Sequence, residues 1–504
     1  MHQSHHGAAH RRAGLRALIA ASRRRPGHSL AFVLAALLVV GRARAGGFEI
    51  PDTGTEALGR GGAFTAKADD ATALVHNVAG LAAQRGTRVL VDAHSILSSY
   101  AFQRAGVYPD DPRDPATPWG GKPFPRVSSQ TGFFVAPMVA VTSDLGLDRV
   151  TFALGAYGPS GVPNRTYPLG VEGKPSPARY DLVQSRSILV LPTAAAAIRV
   201  TDALDVGIAA HLVAVSADEL SVSSSETSTT LCPNHEYRPC DSAGRLRATG
   251  YSAAASLGAL LRPSPWLALG VNVRTAATVA ATGTIDGQAP AATPVTVTPG
   301  DARVTTHLPW VVRAGARVIV RDGGFEAGDV EIDGTYEAWH AAEGDGPHLS
   351  IPKVNLYRDI EATLLHHYKD TFSVRAGGAI NARAPGGVVT LRAGGYFDSS
   401  ATDPAATRVD FDTLAKLAAT LGLGYRARGF SVSAAYAEVF AADRVVTGGE
   451  YRPINGASNG RSVGASDQPL PAVNDGTYAS HNRIISLGIQ ILVDPWIGNS
   501  RTSL

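Results

Sequence analysis

The stretch Val330–Trp339, VEIDGTYEAW, decides the fold class. Val330, Ile332, Gly334, Tyr336 and Ala338 fall on one face of an extended chain, and Glu331, Asp333, Thr335, Glu337 and Trp339 on the other. Strict alternation of this kind is the signature of a strand with one apolar and one polar face. The same pattern recurs down the chain. In DTFSVRAGGAI, Phe372, Val374, Ala376 and Ile380 oppose Thr371, Ser373 and Arg375. In HLPWVVRAGARVIV, Leu308, Trp310, Val312, Ala314, Ala316 and Val318 oppose Arg313 and Arg317. In RIISLGIQILV, Ile485, Leu487, Ile489, Ile491 and Val493 share a face.

Fourteen such segments are expected, near 85–102, 131–142, 149–157, 184–199, 205–216, 246–261, 266–283, 303–320, 328–340, 363–382, 389–398, 411–425, 430–440 and 477–493. Residues 351–362 read as loop. Connections alternate between short (SDLGLD, VTDAL, RPSP, RDGGFEA, ARAPGG, RARG) and long (103–130, 158–183, 217–245, 284–302, 341–362, 441–476). A sandwich has no reason to sort its loops by length. An outer-membrane barrel does, with short turns at the periplasmic end and long loops outside. Unpaired strand edges are too costly in lipid, so the sheet must close. The expected fold is all-β: a 14-stranded antiparallel transmembrane β-barrel over residues 85–493. An even count places both termini on the periplasmic side, with 494–504 as a short tail.

The first 45 residues carry six arginines up to Arg25, an apolar run Ala31–Val40 and an Ala43-Arg44-Ala45 step, the layout of a secretory signal peptide. Ten apolar residues are too few for a helical span of about 30 Å. Eight of the 46 Lys and Arg residues, and none of the 43 Asp and Glu, precede Gly46. The remainder therefore holds 38 basic and 43 acidic residues, a net charge of −5. That balance gives no electrostatic support to a nucleic-acid partner.

Between the signal and the first strand lies GGFEIPDTGTEALGRGGAFTAKADDATALVHNVAGL, Gly46–Leu81, glycine-rich and without alternation. A fourteen-stranded barrel is too wide for wall side chains to fill. This segment, extended to 46–84, is expected to plug it as a small hatch. Asp69 and Asp70 suit the start of a short helix through ATALVHNVAGLA that ends near Gly80.

Chemical motifs are sparse. Cys232 and Cys240, the two cysteines, are expected to form a local disulfide. With His235 they leave a tetrahedral metal site one ligand short, so no metal and no cofactor is expected. GRSVG (Gly460–Gly464) fits a nucleophile-elbow pattern but sits in a loop between strands. His366 and His367, adjacent on an expected strand, face opposite sides. No enzymatic activity is expected. Gly155, Gly158 and Pro159 are expected to interrupt pairing in the third strand.

The residues resemble a known family, the outer-membrane long-chain fatty-acid and aromatic-hydrocarbon transporters of the FadL and toluene-X type. The resemblance rests on the stretch from Gly46 to Ala82 and on VEIDGTYEAWH, YKDTFSVRAGGAI, VTLRAGGYFDSSATDP and GFSVSAAYAEVF. It implies passive uptake of a hydrophobic ligand by a hatch-plugged barrel, with release into the bilayer through a wall opening near the third strand at Gly155, Gly158 and Pro159. It implies a hatch and ligand gate at Gly46, Gly47, Phe48, Asn77, Val78 and Ala79, where Val78 replaces the family's proline. Arg313, Arg317, Arg375 and Arg392 are candidates to meet a ligand carboxylate. The expected partners are the ligand and outer-membrane lipid, and the expected state is a monomer. The alternative is a non-transporting barrel acting in adhesion or envelope structure through its long loops.

Overall fold

The computed structural model describes residues 53–158, 164–223, 231–292, 299–354, 358–453 and 471–493. Residues 1–45, expected as a signal peptide, together with Gly46–Phe48, Pro159, the GRSVG loop and the tail after 493 lie outside the described residues.

Fourteen wall strands follow one another: β1 Arg88–Arg104, β2 Phe133–Ser143, β3 Val150–Tyr157, β4 Ile188–Arg199, β5 Leu204–Ser223, β6 Ser242–Ser264, β7 Leu267–Arg274 continued as Ala277–Gln288, and β8 Gly300–Leu308 continued as Val311–Asp322. Then come β9 Phe325–Glu337, β10 Thr371–Ala384, β11 Gly387–Asp398, β12 Lys416–Ala427, β13 Phe430–Ala441 and β14 Gly476–Leu492. Each pairs antiparallel with its chain neighbours, and β1 closes the ring on β14 from Arg88↔Leu492 to Arg104↔Gly476. The sheet is thereby closed on itself, which is what a sheet in hydrocarbon requires.

The faces are inverted relative to a soluble protein. On β9, Val330, Ile332 and Tyr336 are 52%, 51% and 45% exposed, while Glu331, Asp333 and Glu337 are buried. On β14, Ile485, Leu487, Ile489 and Ile491 point out, and Ser486 and Gln490 point in. Arg313, Arg317, Arg375 and Arg392 all face the lumen. Apolar atoms outside and charges inside is the distribution that lipid demands. No helix among the described residues is long and apolar enough to cross a membrane.

Several expected boundaries shift. β10 starts at Thr371, so His366 and His367 lie in an irregular segment and not on a strand. Residues expected as loop form a hairpin, His348–Val354 with Arg358–Thr363, that pairs with the outer end of β8. β5 and β6 run on as a long outer ribbon, and β9 ends at Glu337 with Trp339 in the following helical turn. Leu308 faces the lumen although Trp310 faces out, because the strand changes face at Pro309. The missing N–H of Pro309 interrupts the ladder there.

Candidate functional site

Residues 53–84 fill the lumen and are almost wholly buried. Two short α-helical turns, α1 Thr55–Leu58 and α2 Ala73–His76, are followed by a 3-10 segment, Val78–Ala83. The single expected helix is broken at Asn77, whose extended backbone ends α2 and whose side chain accepts from Ala79 N at 3.2 Å. The same side chain donates to Thr65 O (2.9 Å) within the hatch and to Ala259 O (3.0 Å) of the wall. Val78 N donates to Asn272 Oδ1.

The strongest hold is a ledge of three carboxylates on β9. Arg60 donates to both oxygens of Asp329 (2.9 and 2.5 Å) and to Glu331 (3.1 Å), with all three side chains fully buried. Asp333 Oδ2 accepts from Phe64 N and Thr65 N, each at 2.8 Å. Glu331 Oε1 accepts from Ala66 N at 2.6 Å. Alternation is what makes the ledge, since residues 329, 331 and 333 project from one face of one strand. Across the lumen, Gly54 N donates to His94 Nε2 and Thr55 N to Asp92 Oδ2. Although burial opposes it, Arg392 and Lys67 hold the Glu56 carboxyl below its usual range. Burial, with Arg313 next in weight, pushes the His76 imidazole down to about 3.

Hatch and wall meet backbone to backbone. Glycines from eight strands, Gly207, Gly258, Gly270, Gly315, Gly377, Gly394, Gly422 and Gly488, each lie where an added Cβ would strike hatch atoms. At Gly207 it would lie 2.6 Å from Val78 C, and at Gly422 3.0 Å from Gly59 Cα. Glycine is used there because it permits that approach.

An apolar cluster sits above the hatch and joins it to the wall: Leu74 and Val75 with Met138, Tyr157, Leu191 and Val213. Beside it, among the described residues, wall pairing is interrupted. β3 pairs with β2 only up to Met138↔Tyr157 and with β4 only up to Tyr157↔Leu191. Beyond that level Phe133–Pro137 keep partners on β1 alone, and Ile188–Leu189 on β5. Among the described residues, pairing resumes only at Asn164–Thr166 with Gln184–Arg186. The result is a hollow of about 490 Å³ lined by Phe133, Val135, Pro137, Tyr157, Gly158 and Ile188. Gly155 is paired on both sides, to Ala140 and Thr193, so the interruption begins after Tyr157 and not at Gly155. Gly155 instead faces the hatch, since a Cβ there would lie 2.7 Å from Leu74 Cδ1.

A family model described as outer membrane protein transport protein (OMPP1/FadL/TodX) matches residues 36–463. The chain belongs to this outer-membrane transport family. Solved structures agree in fold. A FadL homologue from Pseudomonas aeruginosa superposes with a TM-score of 0.70 at 16% identity, covering 89% of this chain and all of that one. The toluene transporter TodX of P. putida gives 0.63 at 14% identity over 88% and 99%. The toluene transporter TbuX of Ralstonia pickettii gives 0.60 at 16% identity over 88% and 100%. A search of curated protein sequences finds no match.

Within this family fold the four lumen arginines already have protein partners. Arg317 pairs with Asp329 (2.7 Å) and Glu326, Arg375 with Asp398 (2.9 Å) and Arg392 with Glu56 (2.8 Å). Arg313 donates to Val75 O of the hatch at 3.1 Å. They brace the hatch and wall, so a ligand carboxylate must compete for them. Cys232 and Cys240 are disulfide-bonded in the long connection between β5 and β6. That connection inserts buried Glu236 against Arg104 (2.6 and 2.9 Å) and bonds Asn234 to Asp110, tying it to the segment that follows β1. Asp92, His94 and the wall glycines escaped the sequence reading. Gly315, at inward parity between Arg313 and Arg317, is the one glycine of the eight that such a position marks in the sequence.

Proposed function

We propose that this barrel carries hydrophobic molecules, long-chain fatty acids or hydrocarbons, passively across the outer membrane. Residues 1–45 serve as the export signal, and both ends of the mature chain lie in the periplasm. Ligand is held in the apolar region above the hatch, around Leu74, Val75, Leu191 and Val213. Hatch movement then frees it sideways through the hollow beyond Tyr157. The observation that carries this reading is that, among the described residues, β3 pairing ends at Tyr157 while both neighbours continue, with apolar residues lining the space. An apolar ligand that leaves sideways enters hydrocarbon directly and never crosses water, so its transfer free energy stays favourable throughout. Toluene is the cargo that the names of two structural neighbours print. Monoaromatics therefore belong in the test beside fatty acids.

The test is uptake by cells producing the protein, over a fatty-acid chain-length series and a set of monoaromatics, with and without residues 46–81. The full chain is expected to take up one class selectively. The deletion is expected to admit water-soluble dyes and lose that selectivity. No uptake of any apolar compound, with a deletion no leakier than the full chain, overturns the proposal.

A further inference from the structure

The leading end of the hatch is gripped by groups whose hydrogen-bonding roles depend on a proton. His94 Nε2 accepts from Gly54 N at 2.9 Å, which requires that nitrogen to be bare. Asp92, two residues earlier on the same inward face, accepts from Thr55 N through Oδ2 at 2.8 Å. Its other oxygen, Oδ1, is buried without a hydrogen-bond partner and lies 3.4 Å from His94 Nε2. Thr55 Oγ1 meets Ser486 Oγ at 2.5 Å, and His76 Nε2 meets Thr53 O at 2.8 Å.

A buried carboxylate oxygen left unpaired beside an imidazole is costly unless the imidazole can turn toward it. A proton on His94 Nε2 supplies that turn. The nitrogen becomes a donor and loses its hold on Gly54. Asp92 Oδ1 is the acceptor waiting for it. The other charged groups facing this corner push the same way at His76. Arg313 of β8, Arg375 of β10 and His94 itself all disfavour a charged ring there, so a proton taken up by His76 is better accommodated once the hatch end has left its seat.

We propose that Asp92 and His94 are positioning residues for the hatch and form an acid-released latch on Thr53–Thr55. At neutral pH the bare His94 nitrogen holds Gly54. A proton on His94 Nε2 closes the Asp92–His94 pair on itself, and the leading end lifts. The inference rests on the hatch being the movable element in the function proposed above, but it is read without any transport measurement.

The experiment uses the full chain carrying Thr53→Cys, with labelling by a bulky water-soluble maleimide in membranes. The two native cysteines are bonded to each other, so the new thiol reacts alone. Rates are corrected for thiol ionisation against Leu145→Cys, at an exposed turn. Labelling at residue 53 is expected to rise at least tenfold from pH 7.5 to 5.5. The rise is expected to vanish in His94→Gln, which keeps a side-chain acceptor and takes no proton. Asp92→Asn is expected to move it to lower pH. If a variant fails to fold, hydrogen exchange at the Gly54 amide in the parent reads the same opening. No rise in the parent, or the full rise in His94→Gln, overturns the latch. Absent uptake with an intact pH response overturns the transport reading and leaves the latch standing.

Discussion

Removing the Asp333 carboxylate tests the ledge on β9 most directly. Asp333→Ala deletes the one acceptor shared by Phe64 N and Thr65 N, both at 2.8 Å and both buried. Hydrogen bonds to a charged acceptor contribute roughly 1.5–3 kcal/mol each. The two together hold the hatch by about 3 kcal/mol even at the lower bound. Since about 1.4 kcal/mol is a factor of ten, the population with the 64–65 turn off its seat rises on the order of 100-fold. The barrel is expected to survive, because backbone pairing from Val311↔Glu337 onward and from Glu337↔Thr371 onward does not use this side chain. The assay is single-channel conductance in planar bilayers, read beside hydrogen exchange at Phe64 and Thr65 and the heat-modifiable gel shift of a folded barrel. Frequent openings and about 100-fold faster exchange at those amides are expected. A folded Asp333→Ala protein with parental conductance and parental exchange refutes the claim that this carboxylate seats the hatch.

Two further substitutions probe the wall. Gly155→Trp places a ring where Leu74 Cδ1 is 2.7 Å and Val139 O 3.0 Å from the first added carbon. Uptake of apolar ligand is expected to slow while the gel shift stays normal, and undiminished uptake by a folded variant counts against the route beside β3. Leu487→Arg puts a charge on a lipid-facing position that is 61% exposed. Folding into bilayers is expected to weaken by roughly 2–4 kcal/mol if the site lies near the midplane, and a denaturant titration in lipid vesicles that shows no change refutes the membrane-facing assignment of that face.

The wall was legible because period-two alternation survives in a barrel whichever face is wet. VEIDGTYEAW and RIISLGIQILV each gave a strand at the expected place. Loop sorting by length then supplied what alternation cannot, namely which face meets lipid. Alternation also misled at the outer ends. Leu220 and Val222 continue the pattern in a ribbon built outside the expected strand limits, because a paired hairpin needs the same period wherever it stands. The lumen arginines were visible as inward residues, but their partners were not. Arg60 meets Asp329 at a sequence separation of 269 and Glu331 at 271, and spacing says nothing at that range. The resemblance places Asn77 in the hatch gate, but its sequence position does not show that its side chain ties the hatch to itself and to β6.

The eight wall glycines have a consequence for how such a stopper can vary. Where the contact is main chain to main chain, as at Gly207, Gly377 and Gly394, the path of the hatch backbone is moulded by the surrounding cylinder. One extra methyl at Gly207 or Gly270 would act like grit in a ground-glass joint. It would prevent the two surfaces from mating, and ions would leak through a tube that still looks properly assembled.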